Sequence, residues 1–386
     1  MTCLADLAPL LRRRGPWCTA YVDAGAGTVE RMEAADAAPG NIRDALAGQG
    51  AARTDVDALV EVLQPAAGEP QPVSRFAVVS HGQVDVNEIL PGPPVIAEQV
   101  TAGVIPDLLP LALHQPDDYP YVVAEVGRQD AEIRLHRAGR SLAGHAKDAV
   151  RTEEVKGSGE NVSKHPGGGW AQYSYQHRTE EVWRQNATEV AARLDALARE
   201  SGARIVILAG DVKARELVAG ALAEETRAKL RTVDLHSRTG GADPDALDAE
   251  VAVIVAREWA EDDEALVNRL AEEQGQAAPL CVTGLGSVVH ALQQAQVDTL
   301  ILGDEALRER RVLALDAEPW IASTEAESSG AGVLGEAPAP AALLRAAVLT
   351  DAGVAMLPGA EMPGGVEIAA LLRWPVGPPT PAEPAA

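Results

Sequence analysis

Lys164-His165-Pro166-Gly167-Gly168-Gly169-Trp170-Ala171-Gln172 brings two cations, three consecutive glycines, an indole and a carboxamide into nine residues, and Tyr173, Tyr175, Gln176 and Arg178 follow at once. Lys164 and Arg178 can hold phosphates, and His165 adds charge or a ring face. Trp170, Tyr173 and Tyr175 can stack on exposed bases, at about 1–3 kcal/mol per base. Gln172 and Gln176 can hydrogen-bond bases or sugars. Gly167, Gly168 and Gly169 release the backbone from ordinary φ/ψ limits, so the segment can lie close against a crowded surface. Together they suit a polyanion with stackable bases. The bland reading of the same residues is a flexible surface loop beside a solvated helix face, with His165 as a capping residue and Tyr175 packed on its own domain.

Charge separates this segment from the rest. The chain of 386 residues is net −24 at pH 7. Between Arg134 and Arg184, nine Lys/Arg face six Asp/Glu, with four of the eight His and four of the twelve aromatics. That stretch is net +3 and leaves −27 for the remainder. A body so acidic repels naked nucleic acid, DNA included, and favours a site reached through one projecting element over a generic binding groove.

Other chemistries find little support. Cys3, Cys18 and Cys281 are too few and too scattered for a disulfide framework or a metal-ligand spacing, which fits a reducing cytoplasm. The start of the chain lacks the pattern of a signal peptide, and no stretch approaches the ~20 apolar residues that span a bilayer, so the expected localisation is cytoplasmic, away from membranes. There is no P-loop, no His-Glu-x-x-His and no Gly-x-Ser-x-Gly; neither cofactor nor metal is expected. Val282-Thr283-Gly284-Leu285-Gly286 resembles the start of a dinucleotide-binding turn, but Val289 holds the place of the third glycine. Asp148, Glu153 and Glu154 read as solvated loop residues beside lysines rather than as ligands of two metals.

The elements that must position these residues follow from periodicity. In residues 1–118 the pattern predicts a helix over 4–13, a strand over 19–23, helices over 42–47 and 56–63, and a hairpin of 76–80 with 84–89 around His81-Gly82-Gln83. Pro-rich sequence from Pro91 and a polar run ending at Asp118 mark a boundary. Residues 119–274 open with strands at 121–126 and 131–135. The glycine-rich loop then runs into a long polar helix from near His177 to Glu200, strands at 204–208 and 232–235 enclose a helix over 213–223, and helical spacing over 244–273 fits one helix or two. This order argues for helices on a mixed sheet. Residues 275–375 give strands at 280–283, 299–302, 354–357 and 368–373, helices at 288–296 and 341–349, and a mobile loop over 322–340; residues 376–386 form a disordered Pro/Ala tail.

Two of these stretches match separate parts of one family. Lys164-His165 followed by glycines and a helix carrying Asn186 resembles the loop bearing a Gly-Gly-Gln motif in the Pelota and archaeo-eukaryotic release factor superfamily. Ile207-Leu208-Ala209-Gly210-Asp211 with Lys213 resembles its next strand and turn. Gly359, Gly364-Gly365 and residues 368–374 resemble the closing glycine-rich strand, and residues 287–302 the helix and strand before it. The similarity spans about residues 120–375 and points to the bacterial, Balon-like branch of ribosome hibernation factors.

The resemblance implies an α/β protein of three domains: an N-terminal α/β domain (1–118), a central mixed-sheet domain with a projecting glycine-rich loop (119–274), and a C-terminal α/β/α domain like ribosomal protein L30e (275–375). It implies RNA contacts through Lys164, His165, Gly167, Gly168, Gly169, Trp170, Gln172, Tyr173, Tyr175, Gln176 and Arg178. The implied partners are the 70S ribosome, near its peptidyl-transfer and decoding centres, and elongation factor Tu. Trp170 stands where the release factors carry the glutamine that positions the attacking water, and Gln172 lies two residues on, about 6.6 Å in extended chain. Misplacement by even about 1 Å can cost roughly 100-fold in rate, so no catalytic residue is expected; the alternative is a peptidyl-tRNA hydrolase using Gln172. The stop-codon patterns Asn-Ile-Lys-Ser and Tyr-x-Cys-x-x-x-Phe are absent.

Overall fold

The computed structural model describes residues 4–25, 29–64, 66, 72–114, 119–127, 130–138, 149, 151–156, 170–235, 244–276, 278–303, 305 and 307–375. Two compact units divide the chain: one joins the residues up to Asp117 with those from Glu261 on, and the other runs from Asp118 to Ala260.

The first segment contains α1 (Ala8–Leu11), β1 (Trp17–Asp23), α2 (Val29–Gly48), α3 (Arg53–Val62), β2 (Val73–Ser80), β3 (Gln83–Pro91), β4 (Gln99–Gly103) and α4 (Leu109–His114). Its antiparallel sheet has the order β3-β2-β1-β4. Strand alternation sends Cys18, Ala20, Ala77 and Val79 toward Ile42, Leu46, Val56 and Leu59 of α2 and α3. Trp17, Tyr21, Phe76 and Val78 enter a different core on the opposite face. The hairpin turn takes positive φ at His81 and Gly82, as a two-residue connection requires. Strand β4 and helix α4 lie in the proline-rich stretch that sequence reading assigned to a boundary. Their apolar residues are short runs between prolines, too brief to show a period.

The Asp118–Ala260 unit holds β5 (Tyr119–Val126), β6 (Asp130–Ala138), β7 (Arg151–Lys156), α5 (Trp170–Ser201), β8 (Ile205–Gly210), α6 (Val212–Ala221), α7 (Glu224–Ala228), β9 (Leu230–Thr232) and the first half of α8 (Pro244–Gln274). The sheet order is β7-β6-β5-β8-β9, antiparallel across β7, β6 and β5 and parallel across β5, β8 and β9. This is the mixed sheet that the element order predicts. Val122, Ala124 and Val126 of β5 pack against Ala187, Val190, Ala191, Leu194 and Leu197 of α5, with Ala214 and Val218 of α6. Tyr119, Tyr121, Val123, Ile205 and Ile207 face Leu247, Val251, Val255 and Trp259 of α8. One continuous 31-residue helix resolves the choice left open over residues 244–273. Its later residues Leu266, Val267 and Leu270 join a different core, around Cys281, Ile301, Leu357 and Leu371.

The last segment adds β10 (Cys281–Thr283), α9 (Leu285–Gln293), β11 (Val297–Gly303), β12 (Arg311–Leu315), β13 (Ile321–Ala322), β14 (Val333–Pro338), α10 (Ala339–Leu349), β15 (Gly353–Leu357) and β16 (Ile368–Leu372). Strands β10-β16-β11-β15 form one sheet and β13-β12-β14 a second. The second sheet corrects the expected mobile loop over residues 322–340. Its Ala, Ser, Gly and Glu content hid β14, whose pairing with β12 supplies order that side-chain propensity does not. Helix α10, apolar almost throughout, is buried at every residue. The turn at Gly284 leads from β10, whose sheet neighbour is the antiparallel β16, so the parallel neighbour of a dinucleotide-binding turn is missing there.

Candidate functional site

The floor of the site is the turn between β8 and α6. Gly210 takes φ +109°, and a Cβ there would lie 2.1 Å from the Val126 carbonyl oxygen, so β8 and β5 approach where only glycine fits. Asp211 then caps α6: its Oδ1 accepts from the amides of Lys213 at 3.0 Å and Ala214 at 3.1 Å. The cap fixes the direction in which Lys213 leaves the turn. Its Nζ lies 5.6 Å from the centroid of the Trp183 ring on α5, within cation–π range. Below this pair, Val126, Asp130, Trp183, Asn186, Ala187 and Leu217 line a cavity of about 10 Å³, room for about one water.

Helix α5 carries the site outward. Its packed face begins at Asn186 and Ala187 and continues through Val190, Leu194 and Leu197 at helical spacing, so the C-terminal half anchors it to the sheet. Asn186 is buried within this helix. The helix starts at Trp170, seven residues before the expected start at His177. Residues 170–177 hold no glycine, proline or β-branched side chain, and nothing local stops the helix before the three glycines. Polar and aromatic residues without apolar periodicity concealed that start.

Of the residues singled out in the sequence, Lys164, His165, Gly167, Gly168 and Gly169 lie outside the described residues. Trp170, Gln172, Tyr173, Tyr175, Gln176 and Arg178 all fall within the first third of α5, described by their helical backbone. Gln172 therefore follows Trp170 by a helical rise of about 3 Å rather than by two residues of extended chain.

Sequence reasoning missed the Lys213–Trp183 pair and the charge network on the edge strand. Arg193 of α5 grips Glu153 of β7 with two hydrogen bonds, Nη2 to Oε1 at 2.6 Å and Nε to Oε2. Arg151 meets the same carboxylate at 2.6 Å, and Glu200 lies 3.6 Å from Arg151 and 3.8 Å from Arg193. The Arg193 hydrogen bond, foremost, holds the Glu153 carboxyl below its ordinary range. Glu153 and Glu154 thus stand on a strand, not in the solvated loop expected of them, and Asp148 lies outside the described residues. Their separation by one residue places them on opposite faces of β7, a signal visible in sequence only once the strand is known. Among the described residues no group of three or more His, Cys, Asp or Glu is placed to hold a metal, and no helix is long and apolar enough to cross a membrane.

The Asp118–Ala260 unit is thus a mixed-sheet domain carrying a long helix, with a glycine and a capping aspartate at the end of β8. Residues 120–276 match the sequence profile of bacterial archaeo-eukaryotic release factor family 2. Uncharacterized protein Rv2629 of Mycobacterium tuberculosis (strain H37Rv) is 28% identical over 303 residues, 76% of each chain. Among solved structures, the archaeal translation termination factor aRF1 is 17% identical, covers 96% of this chain and 97% of that one, and has a TM-score of 0.26. Pelota of Archaeoglobus fulgidus is 15% identical, with 96% and 92% covered and a TM-score of 0.31.

Proposed function

We propose that this protein occupies the vacant aminoacyl site of idle 70S ribosomes, without reading a codon, alongside elongation factor Tu, and shields the decoding and peptidyl-transfer centres. One observation carries the reading: the segment that matches the release-factor family contains the glycine-rich loop, yet Trp170 occupies the place of the water-positioning glutamine. The glycines of the family's motif are kept in the sequence, and its hydrolytic group is replaced by a ring suited to stacking. The net charge of −27 outside residues 134–184 opposes adsorption to RNA in other geometries, which adds specificity by repulsion.

The test is sucrose-gradient co-sedimentation of the purified protein with vacant 70S ribosomes, with and without elongation factor Tu and GTP, for wild type and Trp170→Ala. Binding that weakens at least about tenfold in the variant, equivalent to stacking worth about 1.4 kcal/mol or more, is the expected result. Failure to sediment with ribosomes under every condition overturns the proposal.

A second reading, peptidyl-tRNA hydrolysis with Gln172 positioning the water, has to contend with the helical start at Trp170: two residues of helix advance about 3 Å along the axis and turn about 200° around it, so positions 170 and 172 do not share a face. That offset exceeds the roughly 1 Å that costs about 100-fold. Peptide release from a loaded peptidyl-tRNA, lost in Gln172→Ala, would establish hydrolysis; its absence leaves occupancy alone.

A further inference from the structure

We infer that the chain's opening and closing segments are locked together by Arg345 within their discontinuous unit, so that the first segment is a fixed part of that unit and does not move separately from the closing segment. Helix α10 is apolar at ten of its eleven positions, and Arg345 is the exception, 1% exposed. A buried guanidinium is strongly unfavourable unless its donors are satisfied. Here Nε donates to the Leu11 carbonyl at 2.9 Å, and Nη1 to the carbonyls of Leu315 at 2.9 Å and Trp320 at 3.3 Å. The guanidinium carbon lies 5.4 Å from the Trp320 ring centroid. Burial pushes its pKa down to about 10, which leaves it charged at neutral pH.

The Leu11 carbonyl belongs to the last turn of α1, 334 positions earlier, and that turn has no following helix to satisfy it. Withdrawing the first segment would therefore expose Leu11 and strand a buried charge in the same motion. Three further contacts close the seam. Arg14 pairs with Asp316, whose Oδ1 also accepts from the Gly332 amide at 2.8 Å. A Cβ on Gly335 of β14 would lie 3.1 Å from the Val104 side chain. Leu7, Leu11, Trp17, Tyr21 and Phe76 share one continuous core with Leu343, Leu344 and Ala347. Core, charge and backbone approach coincide on the same surface.

Hydrogen exchange by mass spectrometry on the full chain tests this, comparing wild type with Arg345→Met and Leu11→Ala. In wild type, β1 and β2 should exchange at the same slow rate as α10 and β12, because one opening exposes both. Leu11→Ala, a change in the first segment, should accelerate α10 and β12 by the same factor as β1 and β2, about 30-fold or more for a buried Leu→Ala, and leave β5 and β8 unchanged. Arg345→Met should likewise shift both segments together; if that variant does not fold, Leu11→Ala carries the comparison. Faster independent exchange of β1 and β2, or acceleration confined to the mutated segment, overturns the inference.

Discussion

A methyl group on Gly210 would meet the Val126 carbonyl oxygen at 2.1 Å while taking a φ of +109° that side chains resist, two penalties at one atom. Gly210→Ala should cost about 2–4 kcal/mol in the unfolding of the Asp118–Ala260 unit by urea titration. Asp211→Ala, which removes the α6 cap, should cost about 1 kcal/mol in the same titration. Glu153 brings a pH dependence. Its folded pKa lies below the ordinary 4.5, so its contribution is fully present above that value and is lost as pH falls through the folded pKa. Glu153→Gln should flatten the acid limb of stability below about pH 4.5, measured by thermal melts across pH. Residues 207–213 were legible as a strand end and helix start, because glycine then aspartate between an apolar run and a helix is strong punctuation. The Arg193–Glu153 clamp was not: its partners stand 40 positions apart, and no local pattern joins them.

At the scale of elements, alternation on β5 and β8 and the apolar spacing of α8 made the central sheet and its covering helix readable, since each buries a regular face. Strand β14 and the early turns of α5 escaped for opposite reasons. The first is held by pairing that its own residues do not advertise; the second is helical without an apolar stripe. Strand β4 stands at the edge of its sheet, and Gln49 seals it: Nε2 donates to the Val100 carbonyl at 3.1 Å and Oε1 accepts from the Ala102 amide at 2.8 Å. One side chain thus substitutes for a neighbouring strand. Gln49→Ala should speed exchange of the Ala102 amide about 5- to 10-fold, as expected for a hydrogen bond worth about 1 kcal/mol, with little change in global stability.

At the scale of the whole molecule, the charge contrast between residues 134–184 and the remainder was fully legible, because it needs no fold. Homopolymeric RNA should show no measurable binding by fluorescence anisotropy at about 100 mM salt, where the Debye length is about 10 Å and long-range repulsion is still felt. The association of the chain's two ends was not legible: the contacts that make it are separated by nearly the length of the protein. Helix α10 lies at the centre of that association, all eleven of its residues turned to the interior and five of them alanine. No position on it is free to drift. Each alanine admits nothing larger without overpacking, each leucine nothing smaller without a void, and the single arginine nothing without three donors' worth of partners. Across descendants of this chain, α10 should therefore be the slowest-changing stretch, a molecular clock nearly stopped, while the acidic surface around it turns over freely.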